Sequence, residues 1–306
     1  MEVVLHTAHY GLATVGLASN TLLVYLIARA TPPTFATYSF VLLNCALFDS
    51  FTSLADIFFI QRIIPTSPML AYISYGFCTA WSPTACFLAY CVHLHFLSNS
   101  VFLLALSFWY RYYILSHDAP RRRILTAILI ALYIPNLAFV ILGVYSQGDT
   151  IAVAAHVARV YPELDFAEVI VTGQTNMLDP LTANAIGYIA LVPLPAYSLI
   201  LYFRHRVLAQ LAALAFEMSS RTRQTHQLLI RALTVHAMLP IGIMFSIISF
   251  GLMFFNVVHH PLLENSVFFL ATLGPTFNPI VTMYFVGPYK RLFNSYPAIF
   301  IHRCCS

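Results

Sequence analysis

The sequence predicts an all-α membrane protein: a bundle of seven transmembrane helices, amino terminus outside and carboxyl terminus in the cytoplasm. Three observations lead there. The chain is 60% hydrophobic and only 8% charged, whereas about a quarter of a soluble domain is charged. Seven apolar runs lie near residues 9–28, 38–60, 87–114, 124–146, 183–203, 228–255 and 266–286, each close to or above the roughly 20 residues that a helix needs to cross a bilayer. Basic residues fall in alternate gaps between these runs, and Lys and Arg accumulate on the cytoplasmic side.

The first run reads as an uncleaved span, because Met1 to Tyr10 carries Glu2 and no Lys or Arg, unlike the basic leader of a signal peptide. It ends at Arg29. The second contains Asp49 and Asp56, and the third ends at Arg111 and is followed by Arg121, Arg122 and Arg123. After the fourth comes the longest exterior loop, Gln147 to Leu181, which carries Asp149, Glu163, Asp165, Glu168 and Asp179 and is expected to act as a lid. The fifth and sixth are joined by a basic stretch with Arg204, Arg206, Arg221, Arg223 and Arg231, and the seventh is followed by Lys290, Arg291 and Arg303. Only Arg62 and Arg159 are left outside. Residues 1–287 therefore form the bundle and 288–306 a cytoplasmic tail. The formal charge of +4 reflects these loop residues, so no nucleic-acid partner is expected.

Charges inside spans are costly and by default face the bundle interior. Asp49 and Asp56 are seven residues apart, nearly two helical turns, and so share a face. With the helices in sequential order, Asn20 and Asn278 are expected to join Asp49 in an internal polar cluster. In the third span His93 lies eighteen residues before Arg111, five full turns and about 27 Å along one stripe, while His95 points to the other side. Taken alone, Arg111 reads as an arginine snorkelling into an aromatic interface belt. Pro135, Pro193, Pro195, Pro240, Pro275 and Pro279 interrupt spans four to seven, either as hinges or as plain helix irregularities.

Cys45 and Cys91 lie within spans and read as packing residues. Cys78 and Cys86 flank the outer start of span three, where a disulfide is permitted; a link between them and two unpaired thiols are both open. Cys304 and Cys305, near Lys290, Arg291 and Arg303, are either palmitate acceptors or unmodified thiols. A retinal protein needs a lysine in the membrane interior, and Lys290, the sole lysine, lies beyond span seven. No HExxH or GxSxG motif occurs, so no enzyme and no cofactor is expected. A ligand-gated channel or transporter is the alternative reading, since Asp49 and Asp56 could serve an ion path.

Asn44 to Asp49 (NCALFD), Asn20, Arg111 flanked by tyrosines, Pro240 and Asn278-Pro279 resemble the helix landmarks of rhodopsin-like G-protein-coupled receptors. More narrowly, Leu106 to Leu115 (LSFWYRYYIL), His226 to Pro240 (HQLLIRALTVHAMLP) and Tyr284 to Tyr289 (YFVGPY) resemble the nematode serpentine chemoreceptors of class delta, over nearly the whole chain. The resemblance implies a rhodopsin-like seven-helix architecture and a chemosensory receptor in the plasma membrane of sensory cilia, with a small chemical ligand and a heterotrimeric G protein as partners. It assigns coupling and switching to Arg111, Tyr112, Arg204, Arg231 and Pro240. Three positions depart from the broader pattern: Tyr110 replaces the acid before the arginine, Thr282 stands at the tyrosine position after Asn278-Pro279, and no Trp precedes Pro240. By helical phase and depth, Asp56, His93 and Tyr188 are expected to supply the few polar contacts of a mainly apolar ligand pocket, roofed by the acidic loop. The alternative is that Asp56 and His93 satisfy one another.

The charge division generates the first prediction. In intact cells an epitope placed before Glu2 is expected to bind antibody, and one placed after Ser306 only after permeabilisation. The opposite pattern would overturn the orientation and favour the channel reading.

Overall fold

The computed structural model describes residues 2–162, 169–214 and 220–292. In chain order the elements are α1 (Glu2–Ala30), α2 (Ala36–Phe59), β1 (Gln61–Thr66), β2 (Met69–Ser74), α3 (Pro83–Tyr113), α4 (Arg122–Tyr145), α5 (Thr150–Val160), β3 (Ile170–Gln174), α6 (Pro180–Leu191), α7 (Pro193–Leu214), α8 (Ser220–Met238), α9 (Ile241–Phe254) and α10 (Pro261–Phe285). Among the described residues, seven helical stretches are long and apolar enough to cross a membrane. Spans one to four are α1 to α4, span five is α6 with α7, span six is α8 with α9, and span seven is α10.

Helix starts at the outer ends share one local rule. Ser82, Asp179 and His260 each precede a proline that opens the helix, and each side chain accepts a backbone N–H near its start, at 3.1 Å from Ala85, Leu181 and Leu262 respectively. A cap supplies an acceptor to an orphan donor, and proline loses nothing at a position whose N–H has no partner. Helix α1 starts at residue 2 and α3 at residue 83, ahead of the apolar runs at 9 and 87. Spans five and six break where the chain demands it: Pro193 opens α7, and Pro240 separates α8 from α9, since a proline removes one ladder bond and crowds the preceding turn.

Span three is the most enclosed of the seven, and spans four and five the least. Large apolar side chains such as Ile124, Ile134, Leu191, Phe245 and Ile248 face outward, the inversion expected when lipid is the solvent. Two glycines permit close helix approach. A β-carbon on Gly16 would lie 2.6 Å from Ser53 Oγ and 2.9 Å from Thr276 Oγ1, and one on Gly242 would collide with the carbonyl of Leu270. Gly16 thus lets span one approach spans two and seven, and Gly242 lets span six lie against span seven.

The two exterior connections that read as loops fold together into a roof. Strands β1, β2 and β3 form an antiparallel sheet in that order, with Ile63 opposite Tyr72 and Tyr72 opposite Thr172. Alternation along β2 gives the sheet two apolar faces. Leu70 and Tyr72 pack down onto the bundle, whereas Ala71 and Ile73 pack up against Val153 and Val157 of α5. Cys78 and Cys86 are joined, with Cα atoms 5.0 Å apart, beneath this roof. Of the acidic loop residues, Glu163, Asp165 and Glu168 lie outside the described residues. On the cytoplasmic side residues 287–292 are helical, and the buried Tyr289 hydroxyl lies 3.2 Å from Thr31 Oγ1 at the end of span one. Cys304 and Cys305, with Arg303, lie outside the described residues.

One buried ion pair ties the roof to the bundle. Arg62 of β1 donates from Nε to Glu264 Oε2 at 2.7 Å, its Nη2 lies at the same distance, and Tyr161 donates to Glu264 Oε1 at 3.1 Å. Both charges are nearly inaccessible, at 3% and 1% exposure, so removing one leaves the other stranded, with a destabilisation of about 3–5 kcal/mol. Glu264→Ala is therefore expected to lower the melting temperature and surface yield sharply, and Arg62→Ala with Glu264→Leu to restore part of the loss. A single variant as stable as the parent would show that the roof is not anchored there.

Candidate functional site

Polar side chains inside the bundle form three layers. At mid-depth Asp49, fully buried on α2, accepts hydrogen bonds from Ser100 Oγ of α3 and from Asn278 Nδ2 of α10, the latter at 2.8 Å. Three spans are thereby joined through one carboxyl group. Asn20 of α1 is adjacent in the fold but bonds elsewhere: its Nδ2 donates to the carbonyls of Gly16 at 2.9 Å and Pro275 at 3.0 Å. Pro279, four residues on, has no N–H to give to the Pro275 carbonyl, and Asn20 supplies the missing donor.

Near the outer end, Asp56 and His93 are both fully buried, and the Asp56 carboxylate lies beside His9 of span one, with Nε2 2.8 Å from Oδ2. That contact lacks hydrogen-bond alignment, and among the described residues neither Asp56 oxygen has a donor. His93 Nδ1 lies 3.3 Å from the carbonyl of Thr52. His9 was not singled out from the sequence, where it stands at the first position of the first apolar run. Tyr188 does not join this group. Its hydroxyl donates to Asn136 Oδ1 at 2.7 Å and its ring stacks on Phe139 at 4.7 Å, so it faces span four. His95 also turns that way, its ring 4.9 Å from Tyr133.

A mainly apolar cavity opens between spans three, five, six and seven beneath the sheet, the character usual for small-molecule sites. Ile63, Leu70 and Tyr72 roof it, and Leu94, Leu97 and Val101 form its span-three wall. Asp56, His93 and Tyr188 do not line it. Phe268 does, and with Phe59 it stands between the cavity and His93: the Phe59 and Phe268 rings lie 4.8 and 6.1 Å from the imidazole. The expected polar trio is thus split across two sides of the bundle, with aromatic rings screening one part. Val101 and Ile243 also line a smaller cavity below, whose other walls include Ser100, Pro240, Pro275 and Asn278.

At the cytoplasmic end Arg111 turns inward. It is 8% exposed, and both Nε, at 2.8 Å, and Nη2 donate to the Tyr38 hydroxyl of α2. Its guanidinium also lies over the rings of Tyr38 and Phe108. Tyr38 thus takes the acceptor role that Tyr110 leaves unfilled next in sequence. Facing it, His236 donates from Nδ1 to the carbonyl of Ala232 at 2.8 Å, and its Nε2 lies 3.2 Å from Thr282 Oγ1. Tyr38, His236 and Thr282 join spans two, six and seven around Arg111, and no spacing in the sequence singled out the first two. Arg204 Nη2 donates to Thr234 Oγ1 at 3.2 Å, Arg206 Nη2 to the Tyr112 hydroxyl at 3.4 Å, and Arg231 is exposed. The side chains of Arg221 and Arg223 lie outside the described residues.

These contacts separate two pairs that the sequence treats alike. In a double-mutant cycle on thermal stability, Asp49→Ala with Asn278→Ala is expected to show coupling of about 1 kcal/mol, within the range such cycles give for interhelical hydrogen bonds in bilayers. Asp49→Ala with Asn20→Ala is expected to be additive within about 0.5 kcal/mol. Equal coupling in both cycles would mean that Asn20 shares the Asp49 cluster directly.

The model of the family described as serpentine type 7TM GPCR chemoreceptor Srd matches residues 5–295. Two Caenorhabditis elegans relatives, serpentine receptor class delta-2 and class delta-3, are each 33% identical over 90% of this chain, covering 78% and 82% of their own lengths. Among solved structures, squid rhodopsin superposes with a TM-score of 0.67 at 11% identity, over 100% of this chain and 88% of that one. At that identity the likeness shows the rhodopsin-like fold alone.

Proposed function

The chain belongs to the serpentine type seven-transmembrane GPCR chemoreceptor family Srd, and from that premise we propose that it is a chemosensory receptor whose ligand binds in the outer cavity and whose cytoplasmic end activates a heterotrimeric G protein. It is a multi-pass membrane protein of the receptor class, not an enzyme. The plasma membrane of sensory cilia is the location this role requires.

The observation that carries the reading is the continuity between the layers. Val101 and Ile243 are shared by the outer cavity and the smaller one, which reaches Pro240, Ser100 and Asn278. A molecule pressing on Ile243 acts next to the break in span six, where the α8–α9 junction has already lost a ladder bond to Pro240. Movement of α8 carries His236 away from Thr282 and opens the space beside Arg111. The arginine then exchanges Tyr38 for acceptors on the G protein, with Tyr112, Arg204 and Arg231 at the rim.

A bond to a charged group is worth about 1.5–3 kcal/mol, and each 1.4 kcal/mol is about tenfold in an equilibrium. Tyr38→Phe is therefore expected to raise agonist-independent signalling on the order of tenfold, and Arg111→Leu to abolish ligand-evoked signalling, both at matched surface density. The assay is an odorant panel on cells expressing the full chain, with a calcium readout and a G-protein inhibitor control. A ligand-evoked current surviving complete G-protein blockade would overturn the proposal in favour of a channel.

A further inference from the structure

Resting on the reading of the outer cavity as the ligand site, we propose that the ligand is an uncharged, mainly apolar small molecule with one hydrogen-bonding group, and that it enters from the bilayer through the seam between spans five and six.

The lining sets the chemical class. Among the described residues no acidic or basic side chain borders the cavity, and its polar groups are the hydroxyls of Tyr72, Tyr90, Ser98 and Ser246. Three of these are already engaged. The Tyr72 and Tyr90 oxygens are 2.9 Å apart, Tyr72 donates to Gln174 Oε1 at 3.0 Å, and Ser246 donates to the carbonyl of Val267 at 2.7 Å. Ser98 has no hydrogen-bond partner among the described residues, so one hydroxyl remains to meet a ligand oxygen. The nearby charges are unavailable: Asp49 is held by Ser100 and Asn278, Arg62 and Glu264 hold each other, Asp56 lies beside His9 outside the lining, and Phe59 and Phe268 pack on His93. An ionised ligand would lose its hydration and gain no counter-charge. An alcohol, ketone or ester of modest size loses little.

The route follows from where the lining is exposed. Every roof residue and every span-seven residue of the cavity is buried: Ile63, Leu70 and Tyr72 above, and Val267, Phe268 and Ala271 behind. Besides Ser98, the part-exposed lining residues are Ile186, Ile189 and Ala190 on span five and Ile247 and Phe250 on span six. The helices on either side look away from each other, since α6 packs chiefly on α4 and α7, and α9 chiefly on α10. Leu191, Phe245 and Ile248, the neighbours outside this seam, are exposed and apolar. The watery side is closed by the sheet, the Arg62–Glu264 pair and the Cys78–Cys86 bridge. A solute dissolved in lipid therefore meets an open apolar mouth, whereas one in water meets a sealed roof.

The test uses the full chain in lipid nanodiscs and three alkyl diazirines of equal chain length, ending in a hydroxyl, a carboxylate or a quaternary ammonium. Adducts on the buried walls, residues 94–101 and 267–271, are mapped by mass spectrometry at equal lipid loading. The alcohol is expected to label these walls saturably and about tenfold more than either charged probe, because charge without a partner is excluded. Ala190→Trp and Ile247→Trp, checked for parental melting temperature, are each expected to slow the build-up of labelling severalfold; Ala190→Leu replaces a variant that fails that check. Equal labelling by all three probes would overturn the ligand class while keeping the cavity as a binding site. Unchanged build-up in the seam variants would overturn the route. No saturable labelling by any probe would overturn the cavity reading itself.

Discussion

A buried carboxyl group in a bilayer has no water to turn to, and the arrangement of this bundle follows from how Asp49 is accommodated. Stranding such a group costs several kcal/mol, so spans three and seven must present donors at one height. Ser100 and Asn278 do so. The same demand applies to the backbone. Pro279 leaves the Pro275 carbonyl without its helical donor, and Asn20 reaches across from span one to supply it. Spans one, two, three and seven are thus registered by polar bonds, and Gly16 lets span one approach closely enough for its bond to form. Spans four and five join this lattice through Asn136, which donates to Asn99 Oδ1 of span three at 3.1 Å and accepts from Tyr188, and they are the spans most exposed to lipid.

Above the hydrocarbon the constraint reverses, because water competes for every exposed polar group and apolar surface must be covered by protein. The sheet meets both demands. Its paired strands satisfy their own backbone groups, while alternation along β2 gives one apolar face to the bundle and the other to α5. The Arg62–Glu264 pair is buried at the junction, with Tyr161 completing its hydrogen bonding. A sheet stitched to span seven in this way covers the apolar cavity below it.

What could be read from the sequence, and what could not, divides along this line. Run length and basic-residue placement report the free energy of each segment in lipid, so the seven spans were legible. Asp49 and Asn278 were legible as neighbours because sequential helix order leaves few partners for a mid-span acid. Helical phase puts Asp56 and His93 on interior faces, where both are buried, yet it does not reveal which side chain of a third helix intervenes, so His9 and the Phe59–Phe268 screen are not legible from it. Tyr188 shows the same limit: one rotation of span five, fixed by Asn136, turns it from the interior toward span four. The sheet was missed because Gln61 to Ser74 is short and apolar on both faces, and so lacks the alternation of a strand exposed on one side. Tyr38 was beyond reach, since nothing local marks a tyrosine on another helix as the acceptor for Arg111.

The vertical order of these features makes the molecule suited to switching. Signals cross a packed bundle only where an element has two discrete arrangements, and the break at Pro240 gives span six a junction with a missing ladder bond. Above it, Ile243 faces the outer cavity; beside it, Asn278 and Ser100 border the smaller one; one turn below, His236 faces Thr282. Below the break, span six meets span seven through one imidazole–hydroxyl contact, whereas the Asp49 carboxyl group of span two is bonded to spans three and seven together. Under the proposed function, ligand energy delivered at Ile243 is directed into span six because the alternative, displacing span seven, would break the bond from Asn278 to the buried Asp49 carboxyl group.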